Sequence, residues 1–280
     1  MNINKFKVGA SVVLFNTSDF QLDRLLKSIV NSGNINVVYL IDNSPSPINS
    51  NLYSLPFVRY IKSKANVGYG AGHNIALRES ILCNDFHFVL NPDIYFEPVE
   101  ISKMLDRISD EVNIGQLMPK VYYPDGQLQY LCKLIPTPFD LFFRRFFIGP
   151  LKNFAVDRRN HFELRFTGYN QEMNIPYLSG CFMLFRSSAL KVVGLFDERF
   201  FMYPEDIDLT RRMHLKFKTI FFPGAIIFHD HARASYVSIK MFYIHCINLI
   251  KYFNKWGWFF DSERSSINKR TLEALNKNIL

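Results

Sequence analysis

Long apolar runs are missing from this sequence of 280 residues. A membrane-spanning helix needs ~20 consecutive apolar residues, and Lys240, His245 and Lys251 interrupt the best candidate. The apolar run from Val8 to Phe15 is also too short for a secretory signal with its cleavage site. The sequence therefore predicts a protein that is neither exported nor threaded through a membrane.

Cysteine is scarce, and no two cysteines form a Cys-x-x-Cys pair. The chain has four, namely Cys83, Cys132, Cys181 and Cys246. Wide spacing of this kind argues against a zinc site and against a disulfide framework. It predicts reduced thiols in a cytosolic protein.

Long polar or repetitive stretches are absent as well. With 48% hydrophobic and 21% charged residues, the chain can bury a sizeable core, and we expect one catalytic domain with a C-terminal appendage. The formal net charge of +8 and the 16% aromatic residues fit a surface for anionic lipid, an anionic small substrate or nucleic acid. Because the basic residues are scattered and form no recognised binding motif, nucleic acid ranks below the other two.

Short apolar runs alternate with helical spacing through the first hundred residues. The predicted strands are Val8–Phe15, Val37–Ile41, Val58–Ile61 and Phe86–Leu90, and the predicted helices run from Leu22 to Ile29 and from Ala71 to Leu82. This alternation indicates a mainly parallel sheet, whose ligands bind at the carboxyl ends of the strands. Polar loops at Asn16, Asp42 and Asp93 fall at those ends, and two of them carry a carboxylate.

The second half of the chain is less regular. We interpret the segment from Tyr122 to Pro176 as an insertion that shapes an acceptor cleft. The remaining predictions are a strand over Tyr177–Phe185, a short helix over Ser187–Val193, an amphipathic helix over Glu205–Lys216 that buries Ile207, Leu209 and Met213, and a basic, aromatic helix or helix pair over Ser238–Phe260.

A glycine-rich turn runs from Asn66 to Asn74 between a predicted strand and a predicted helix. Glycines there let backbone N–H groups approach a phosphate at the helix N-terminus. The spacing of Gly68, Gly70 and Gly72 differs from the Gly-x-Gly-x-x-Gly of dinucleotide-binding enzymes, which argues against a classical Rossmann oxidoreductase. A purely steric role for these glycines is the alternative.

Carboxylates and histidines stand at the ends of other predicted elements. Asp93, in Asn91-Pro-Asp93, offers a hard oxygen ligand for a divalent cation, or it caps a turn. The acids of Glu205-Asp-Ile-Asp208 open a helix, where they either cap its dipole or supply a general base toward a hydroxyl. The cluster His229-Asp-His-Ala-Arg233 can provide a neutral metal ligand and a cationic phosphate contact.

In this order the motifs resemble the family 2 glycosyltransferases over roughly residues 7 to 260. The segments that carry the resemblance are Val-Val-Leu-Phe-Asn16, Ile-Asp-Asn43, Asn66-Val-Gly-Tyr-Gly-Ala-Gly-His-Asn74, Leu-Asn-Pro-Asp93, Ser-Gly-Cys-Phe-Met-Leu184, Leu195 through Asp208 and His229-x-His-x-Arg-x-Ser235. They are most similar to those of bacterial rhamnosyltransferase-like members that build the O-antigen of lipopolysaccharide or capsule.

The resemblance implies an α/β fold of the GT-A type, a Rossmann-like, mainly parallel mixed sheet flanked by helices, with a C-terminal helical and amphipathic appendage. The catalytic domain would cover residues 1–237, with a donor half of about 1–120 and an acceptor half of about 121–237, and the appendage would cover 238–280. It further implies an inverting, metal-dependent transfer from a nucleotide-sugar, with Mg or Mn as the cofactor.

The resemblance also implies roles for single residues. Donor binding would involve Phe15, Asn16, Asp42, Asn66, Gly68, Gly70, Asn74, Asn91, Asp93 and Arg233; the metal ligands would be Asp93 and His229; Asp206 would be the base, with Glu205 orienting it or the acceptor. Phe15 and Asn16 would border the base of the nucleotide, and Asp42 would bind the base or the ribose. Asn91 departs from the family's Asp-x-Asp motif by replacing its first Asp.

By this resemblance the substrate prediction is L-rhamnose from dTDP-rhamnose, moved to a lipid-linked saccharide, with UDP-galactose or UDP-glucose as alternative donors. Rival functions are a nucleotidyltransferase or sugar-nucleotide-binding regulator, and a non-catalytic scaffold. The apolar, lysine-bearing C-terminal segment predicts peripheral contact with anionic lipid at the inner face of the cytoplasmic membrane. Its alternative is a helix packed on the catalytic domain or on a partner subunit.

Overall fold

The fold is built around one large mixed β-sheet with helices on both faces. The computed structural model describes residues 5–48, 54–142, 152–230 and 239–277. The strands are β1 (Val8–Leu14), β2 (Val37–Asp42), β3 (Val58–Lys62), β4 (Phe86–Leu90), β5 (Ile94–Tyr95), β6 (Ile114–Tyr122), β7 (Cys132–Lys133), β8 (Met173–Asn174), β9 (Tyr177–Leu178), β10 (Phe182–Arg186) and β11 (Lys218–His229). The helices are α1 (Asp19–Ser32), α2 (Tyr69–Cys83), α3 (Pro98–Asp110), α4 (Pro138–Phe142), α5 (Lys152–Phe162), α6 (Ser187–Val193), α7 (Pro204–His214), α8 (Ile239–Trp256) and α9 (Ser262–Lys277).

The order of strands in the sheet is β3-β2-β1-β4-β10-β6-β11-β5, and β8 also pairs with β11. β1, β2, β3 and β4 run parallel to one another, and β6 and β11 are parallel neighbours. β10 is antiparallel to both β4 and β6, which makes the sheet mixed. The predicted α/β architecture with a mainly parallel sheet is confirmed.

The alternation of side chains along the strands creates two apolar layers. On one face, Phe88 of β4 and Leu184 of β10 join the buried leucines of α1 and the apolar side of α3. On the other face, Val89 and Met183 pack with residues of α2, α6 and α7. Because α2 and α7 lie on the same face, the glycine-rich turn and the acidic helix start come together at one edge of the sheet.

The C-terminal helices pack on the second half of the chain. Tyr252 and Phe253 of α8 and Leu275 of α9 are buried in a cluster with Cys132 and Ile207. The predicted C-terminal helices are therefore present, and part of their aromatic surface belongs to the core. The division at residues 237 and 238 stays a prediction.

Two sequence-based boundaries differ from the structure. The predicted strand Tyr177–Phe185 is split, because β9 pairs with β7 in a separate small sheet while β10 pairs with β4 in the main sheet. The chain changes sheets at Gly180, whose missing side chain leaves room for Asp206: an added Cβ would lie 3.2 Å from the Asp206 Cβ. The segment Tyr122 to Pro176, predicted to be irregular, contains β7, α4, α5 and β8 and a 3₁₀ helix over Arg165–Thr167.

None of the helices in the described ranges is both long enough and apolar enough to cross a membrane. The four cysteines are free thiols, and Cys132 and Cys181 are buried.

Candidate active site

The first part of the site is a buried carboxylate at the end of β2. Asp42 is fully buried and accepts hydrogen bonds from the Ser44 amide (2.9 Å), the Ile48 amide (3.2 Å) and the Tyr60 hydroxyl (2.6 Å). Burial opposes ionisation, but these donors outweigh it, and the pKa of Asp42 lies below its usual value. Asp42 is therefore an anion that organises the loop after β2.

This loop reaches the neighbouring predicted donor residues. The Ser44 hydroxyl accepts from the amide of Asn16, which has a left-handed backbone (φ 51°), and Phe15 beside it is half exposed. The Asn43 side chain donates to the Gly68 carbonyl at 3.1 Å. The loops after β1, β2 and β3 thus form one connected surface.

The glycine-rich turn is held against the loop before α7. Gly68 has φ 91°, and an added Cβ would lie 2.2 Å from the Phe201 carbonyl oxygen, so only glycine fits. The Gly68 amide donates to the Asn66 side chain (3.0 Å) and the Tyr69 amide donates to Phe201 O (3.0 Å). These two amides are already paired within the protein, so the turn joins the two halves of the chain.

Two further turn residues make the same connection. Asn74 donates to the Phe196 carbonyl (2.9 Å) and accepts from the Phe196 amide (3.1 Å), and it also donates to Glu198 (2.8 Å). Gly70 packs closely against the Phe196 ring and the Glu205 side chain, with 3.3 Å between its built Cβ and Glu205 Cγ. Asn74 and Gly70 therefore fix the start of α2 against the loop that leads into α7 and against Glu205.

Asp93 and His229 are brought together by the pairing of β5 with β11. Asp93 Oδ1 lies 3.3 Å from His229 Nε2, and the Asn91 amide nitrogen lies 3.4 Å from the same atom. Gln129 donates to the His229 carbonyl (2.8 Å), so its oxygen faces His229 Nδ1 at 3.0 Å and accepts that N–H. Nε2 is thereby directed at Asp93. Gln129 fell in the segment predicted to be irregular, and no sequence signal marked it.

The charge state of His229 follows from these neighbours. Burial disfavours the imidazolium, but Cys181 and Asp93 together outweigh burial and raise the pKa of His229 to about 10. Without a metal, His229 is a cation paired with Asp93.

The same residues fit a divalent metal. A histidine whose Nδ1–H is fixed by an amide oxygen presents Nε2 as a ligand, as in metal sites generally, and Asp93 adds one oxygen. Across the described parts of the chain, no group of three or more His, Cys, Asp or Glu side chains is arranged for a metal. Two protein ligands suit Mg²⁺ or Mn²⁺ that is otherwise held by substrate phosphates and water.

Glu205 and Asp206 open α7 at the same edge of the sheet. Both are buried, with exposed fractions of 3% and 8%. Asp206 Oδ2 accepts from the Gly180 amide (3.0 Å) and Oδ1 from the Ile207 amide (2.8 Å). The Oε2 atom of Glu205 has no hydrogen-bond partner among the described residues.

The environment gives the carboxyl groups of Glu205 and Asp206 different pKa values. Burial raises the pKa of Asp206 to about 6, against the opposing effects of the Lys133 ammonium and the Gly180 and Ile207 amides. Burial, together with the adjacent Asp206 carboxylate, raises the pKa of Glu205 well above its usual value. At neutral pH Asp206 is the ionised member of the pair and Glu205 is a carboxylic acid.

Gly180 and Cys181 join this pair to the Asp93–His229 pair. The Gly180 amide binds Asp206, while the Cys181 carbonyl accepts from the Asn91 amide at 3.0 Å. Asp206 and Asn91, which lies beside His229, are thus connected through two consecutive residues. Arg233, predicted to contact the diphosphate, lies outside the described residues.

The third acid of the helix start has different partners. Asp208 is fully buried and accepts from Arg212 Nε (2.9 Å) and Trp256 Nε1 (2.8 Å), and it pairs with Lys255. Two of these partners come from α8, so Asp208 anchors the C-terminal helices. Its spacing from Asp206 gave no indication of this difference.

A sequence model of glycosyl transferase family 2 matches residues 12–194. The N-acetylglucosaminyl-diphospho-decaprenol L-rhamnosyltransferase of Mycobacterium tuberculosis is 31% identical over 196 residues, which are 64% of this chain and 61% of that protein. The low-salt glycan biosynthesis hexosyltransferase Agl10 of Haloferax volcanii is 26% identical over 175 residues, 62% of this chain and 52% of that protein. The chain therefore aligns with less than two thirds of the length of either relative.

Solved structures share the fold at low sequence identity. GalNAc-T7 with UDP, GalNAc and Mn²⁺ has a TM-score of 0.59 at 13% identity, covering 80% of this chain and 43% of that one. S. aureus TarS 1-349 with UDP has a TM-score of 0.56 at 13% identity, covering 95% and 70%. The mannosyltransferase PcManGT of Pyrobaculum calidifontis, with GDP-Man and Mn²⁺, has a TM-score of 0.54 at 12% identity, covering 80% and 57%. The fold is of the GT-A type, and the chain belongs to glycosyl transferase family 2.

Proposed function

We propose that this chain is an inverting glycosyltransferase that moves a sugar from a nucleotide-sugar to a hydroxyl of a lipid-linked saccharide. The observation that carries the proposal is the buried Glu205–Asp206 pair beside the glycine-rich turn, with Asp206 ionised at neutral pH. A base with a pKa just below the working pH can accept a proton from an acceptor hydroxyl.

In this mechanism Asp206 takes the proton of the acceptor hydroxyl. The acceptor oxygen then forms a bond to the anomeric carbon as the bond from that carbon to the diphosphate oxygen breaks, and the electron pair leaves with the nucleoside diphosphate. Attack opposite the departing group inverts the anomeric configuration. Glu205, as a carboxylic acid, can donate a hydrogen bond to the acceptor.

Charge on the departing diphosphate must be neutralised on the other side of the sugar. Asp93 and His229 would hold a divalent metal there, and a metal in that position supplies Lewis-acid stabilisation of the leaving group. Asp42 and the loop with Asn16 and Phe15 would receive the nucleoside, and Arg233 would contact the diphosphate.

For the substrates we propose L-rhamnose from dTDP-rhamnose and a polyprenyl-diphosphate-linked saccharide, as in O-antigen or capsule synthesis. Support comes from the Mycobacterium relative, whose name gives an L-rhamnosyltransferase and a diphospho-decaprenol acceptor. UDP-hexoses such as UDP-galactose or UDP-glucose are the second candidate, because two of the structural neighbours contain UDP.

A thermal-shift panel tests donor and metal together. The protein is melted with dTDP-rhamnose, UDP-galactose, UDP-glucose and GDP-mannose, each with and without Mn²⁺, because a ligand of the folded state raises Tm. We expect a Mn²⁺-dependent increase with one donor, and loss of the metal dependence in Asp93→Asn.

Release of nucleoside diphosphate from that donor then separates a transferase from a binding scaffold or regulator. Absence of both binding and release across the panel would contradict the proposal.

We further propose that the protein works as a peripheral enzyme on the inner face of the cytoplasmic membrane, with segment 238–280 as the lipid-facing part of a catalytic unit formed by 1–237. Tyr243, Ile247 and Ile250 form an exposed stripe at helical spacing along α8, and Phe259 and Phe260 after it are 78% and 98% exposed. The exposed Lys269 and Arg270 of α9 and the net charge of +8 suit anionic lipid.

Flotation with vesicles of phosphatidylglycerol and phosphatidylcholine tests this surface. The wild type should float with anionic vesicles, and the double variant Phe259→Ser, Phe260→Ser should float several-fold less. Phe20→Ser is the matched control, since Phe20 is 69% exposed on α1, and it should bind as the wild type does. Equal flotation of all three proteins, or none, would contradict the lipid surface.

A further inference from the structure

Tyr69 connects the glycine-rich turn to the carboxylate of Asp206. Its hydroxyl donates to the Gly180 carbonyl, and the Gly180 amide donates to Asp206 Oδ2 at 3.0 Å. One glycine therefore carries both contacts, one on its carbonyl and one on its amide.

The phenol ring of Tyr69 is held from several sides. Its edge-to-face partners are His73, with 4.5 Å between ring centroids, and Phe196, at 6.3 Å. The Tyr69 amide donates to Phe201 O at 3.0 Å. A ring fixed in this way places the hydroxyl with little freedom.

The ring of His73 is itself anchored inside the fold. His73 Nδ1 lies 2.7 Å from the Ser11 hydroxyl, which lies 2.8 Å from His87 Nε2, and His87 Nδ1 lies 2.6 Å from the Ser80 hydroxyl. All four side chains are buried. Burial holds the pKa of His73 well below its usual value and lowers that of His87 to about 3, so both are neutral. This chain of hydrogen bonds supports Tyr69 from the interior of the sheet.

Gly180 depends on the hydrogen bond from Tyr69 because it lies in the break between β9 and β10. Glycine has no side chain of its own that could anchor the chain here, and an added Cβ would approach the Asp206 Cβ to 3.2 Å. Its amide is one of the two backbone donors to Asp206, the other being the adjacent Ile207.

We propose that Tyr69 is a positioning residue: its hydroxyl fixes Gly180, and through the Gly180 amide it sets the orientation of the Asp206 carboxylate relative to the donor turn. The inference rests on the proposed role of Asp206 as the base. In this role Tyr69 acts on Asp206 through a backbone amide and not by direct contact.

Removal of the Tyr69 hydroxyl should change the pKa of Asp206 in one direction, which can be measured. A hydrogen bond to a carboxylate favours the ionised form, so a Gly180 amide that drifts away raises the pKa of Asp206. In the described part of the chain, the charges of Glu205 on α7 and Lys133 on β7 also act on Asp206, and Tyr69→Phe leaves both residues unchanged.

The test is a carboxyl ¹³C NMR titration of Asp206 in the wild type and in Tyr69→Phe, with Asp206→Asn identifying the resonance. We expect the midpoint to rise by roughly half a pH unit or more in the variant. In transfer assays kcat should fall about tenfold, since a small misplacement of a reacting group is costly. The acidic limb of the pH profile should move upward with the NMR midpoint, and KM for the donor should stay near that of the wild type.

Tyr39→Phe is the matched control, because it removes another buried phenol hydroxyl from β2, where the Tyr39 ring contacts His87 and Arg59. It should leave the Asp206 titration unchanged. An unchanged midpoint in Tyr69→Phe, or an equal shift in Tyr39→Phe, would overturn the proposal.

A second variant covers the case in which Tyr69→Phe does not fold. Gly180→Ala keeps Tyr69 but crowds Asp206, and it should shift the same resonance; an unmoved resonance there would overturn the proposal. The titration requires no turnover. If Tyr69→Phe shifts the Asp206 titration but the wild-type protein shows no transfer activity, the proposed function is contradicted. The positioning of Asp206 by Tyr69 would still be supported.

Discussion

Asp206 and Asp208 lie two residues apart at the start of α7 and are both buried, yet their surroundings differ. Asp208 is surrounded by Arg212, Lys255 and Trp256, which bind its carboxylate directly. Asp206 accepts hydrogen bonds from two backbone amides, and none of the described residues places a cationic side chain in contact with it. Burial alone therefore does not distinguish the two acids. Their partners do: the Asp208 carboxylate joins two helices, while Asp206 keeps a raised pKa, which suits the role of base that we propose for it.

The largest expected effect is on catalysis by Asp206→Asn. A positioned general base contributes ~10²–10⁴-fold, so kcat should fall by about that factor while the donor-induced rise in Tm remains. Single-turnover transfer and thermal shift with the same donor measure the two quantities. A variant with near-wild-type turnover would show that another group accepts the proton.

The complementary change, Asp208→Asn, should act on stability. It removes the charge that faces Arg212 and Lys255, and breaking a buried pair of this kind costs about 3 kcal/mol. Urea unfolding measures the loss. Transfer at low temperature, where the variant is still folded, should remain within tenfold of the wild type. A stable but inactive Asp208→Asn would reverse the roles that we assign to the two acids.

The pH dependence of stability distinguishes the acids further. Burial raises the pKa of Asp206 to about 6 from 3.8, so folding favours its protonated form, and its contribution to stability is lost as pH rises from about 4 through 6. Relative to Asp206→Asn, the wild type should lose up to about 3 kcal/mol between pH 4 and pH 7. Paired unfolding curves at these two pH values measure the difference, and parallel pH profiles would contradict the raised pKa.

The smallest effect is expected at Asp42, the buried carboxylate at the end of β2. Tyr60→Phe removes its 2.6 Å hydrogen bond, which is worth about 1 kcal/mol. KM for the donor should rise by roughly fivefold with kcat little changed. A change in kcat alone would mean that Asp42 does not contact the nucleotide.

The sequence predicted the parts of the fold that depend on local pattern. The four N-terminal strands and the polar residues at their ends were correct, because apolar runs and strand ends are determined within a few residues. The buried Ile207, Leu209 and Met213 of α7 were also predicted from helical spacing.

Long-range pairing could not be predicted in the same way. The contact of Asp208 with Trp256 and that of His229 with Gln129 join residues 48 and 100 positions apart. The division between β9 and β10 depends on which sheet each half joins, and nothing in the run from Tyr177 to Phe185 encodes that choice locally. For Asp93, His229 and Asp206 the residue types allowed a metal ligand or a base, and the assignment of these predicted roles came from family resemblance.

The close approach of Gly68 to the Phe201 carbonyl has a consequence for protein engineering. A Cβ at position 68 would lie 2.2 Å from this oxygen, so a turn grafted from a relative that lacks glycine there would clash with the loop that carries Phe201. A functional chimera should therefore exchange the turn from Asn66 to Asn74 together with the loop from Phe196 to Tyr203. The two segments form one module for recombination, although more than a hundred residues of chain separate them.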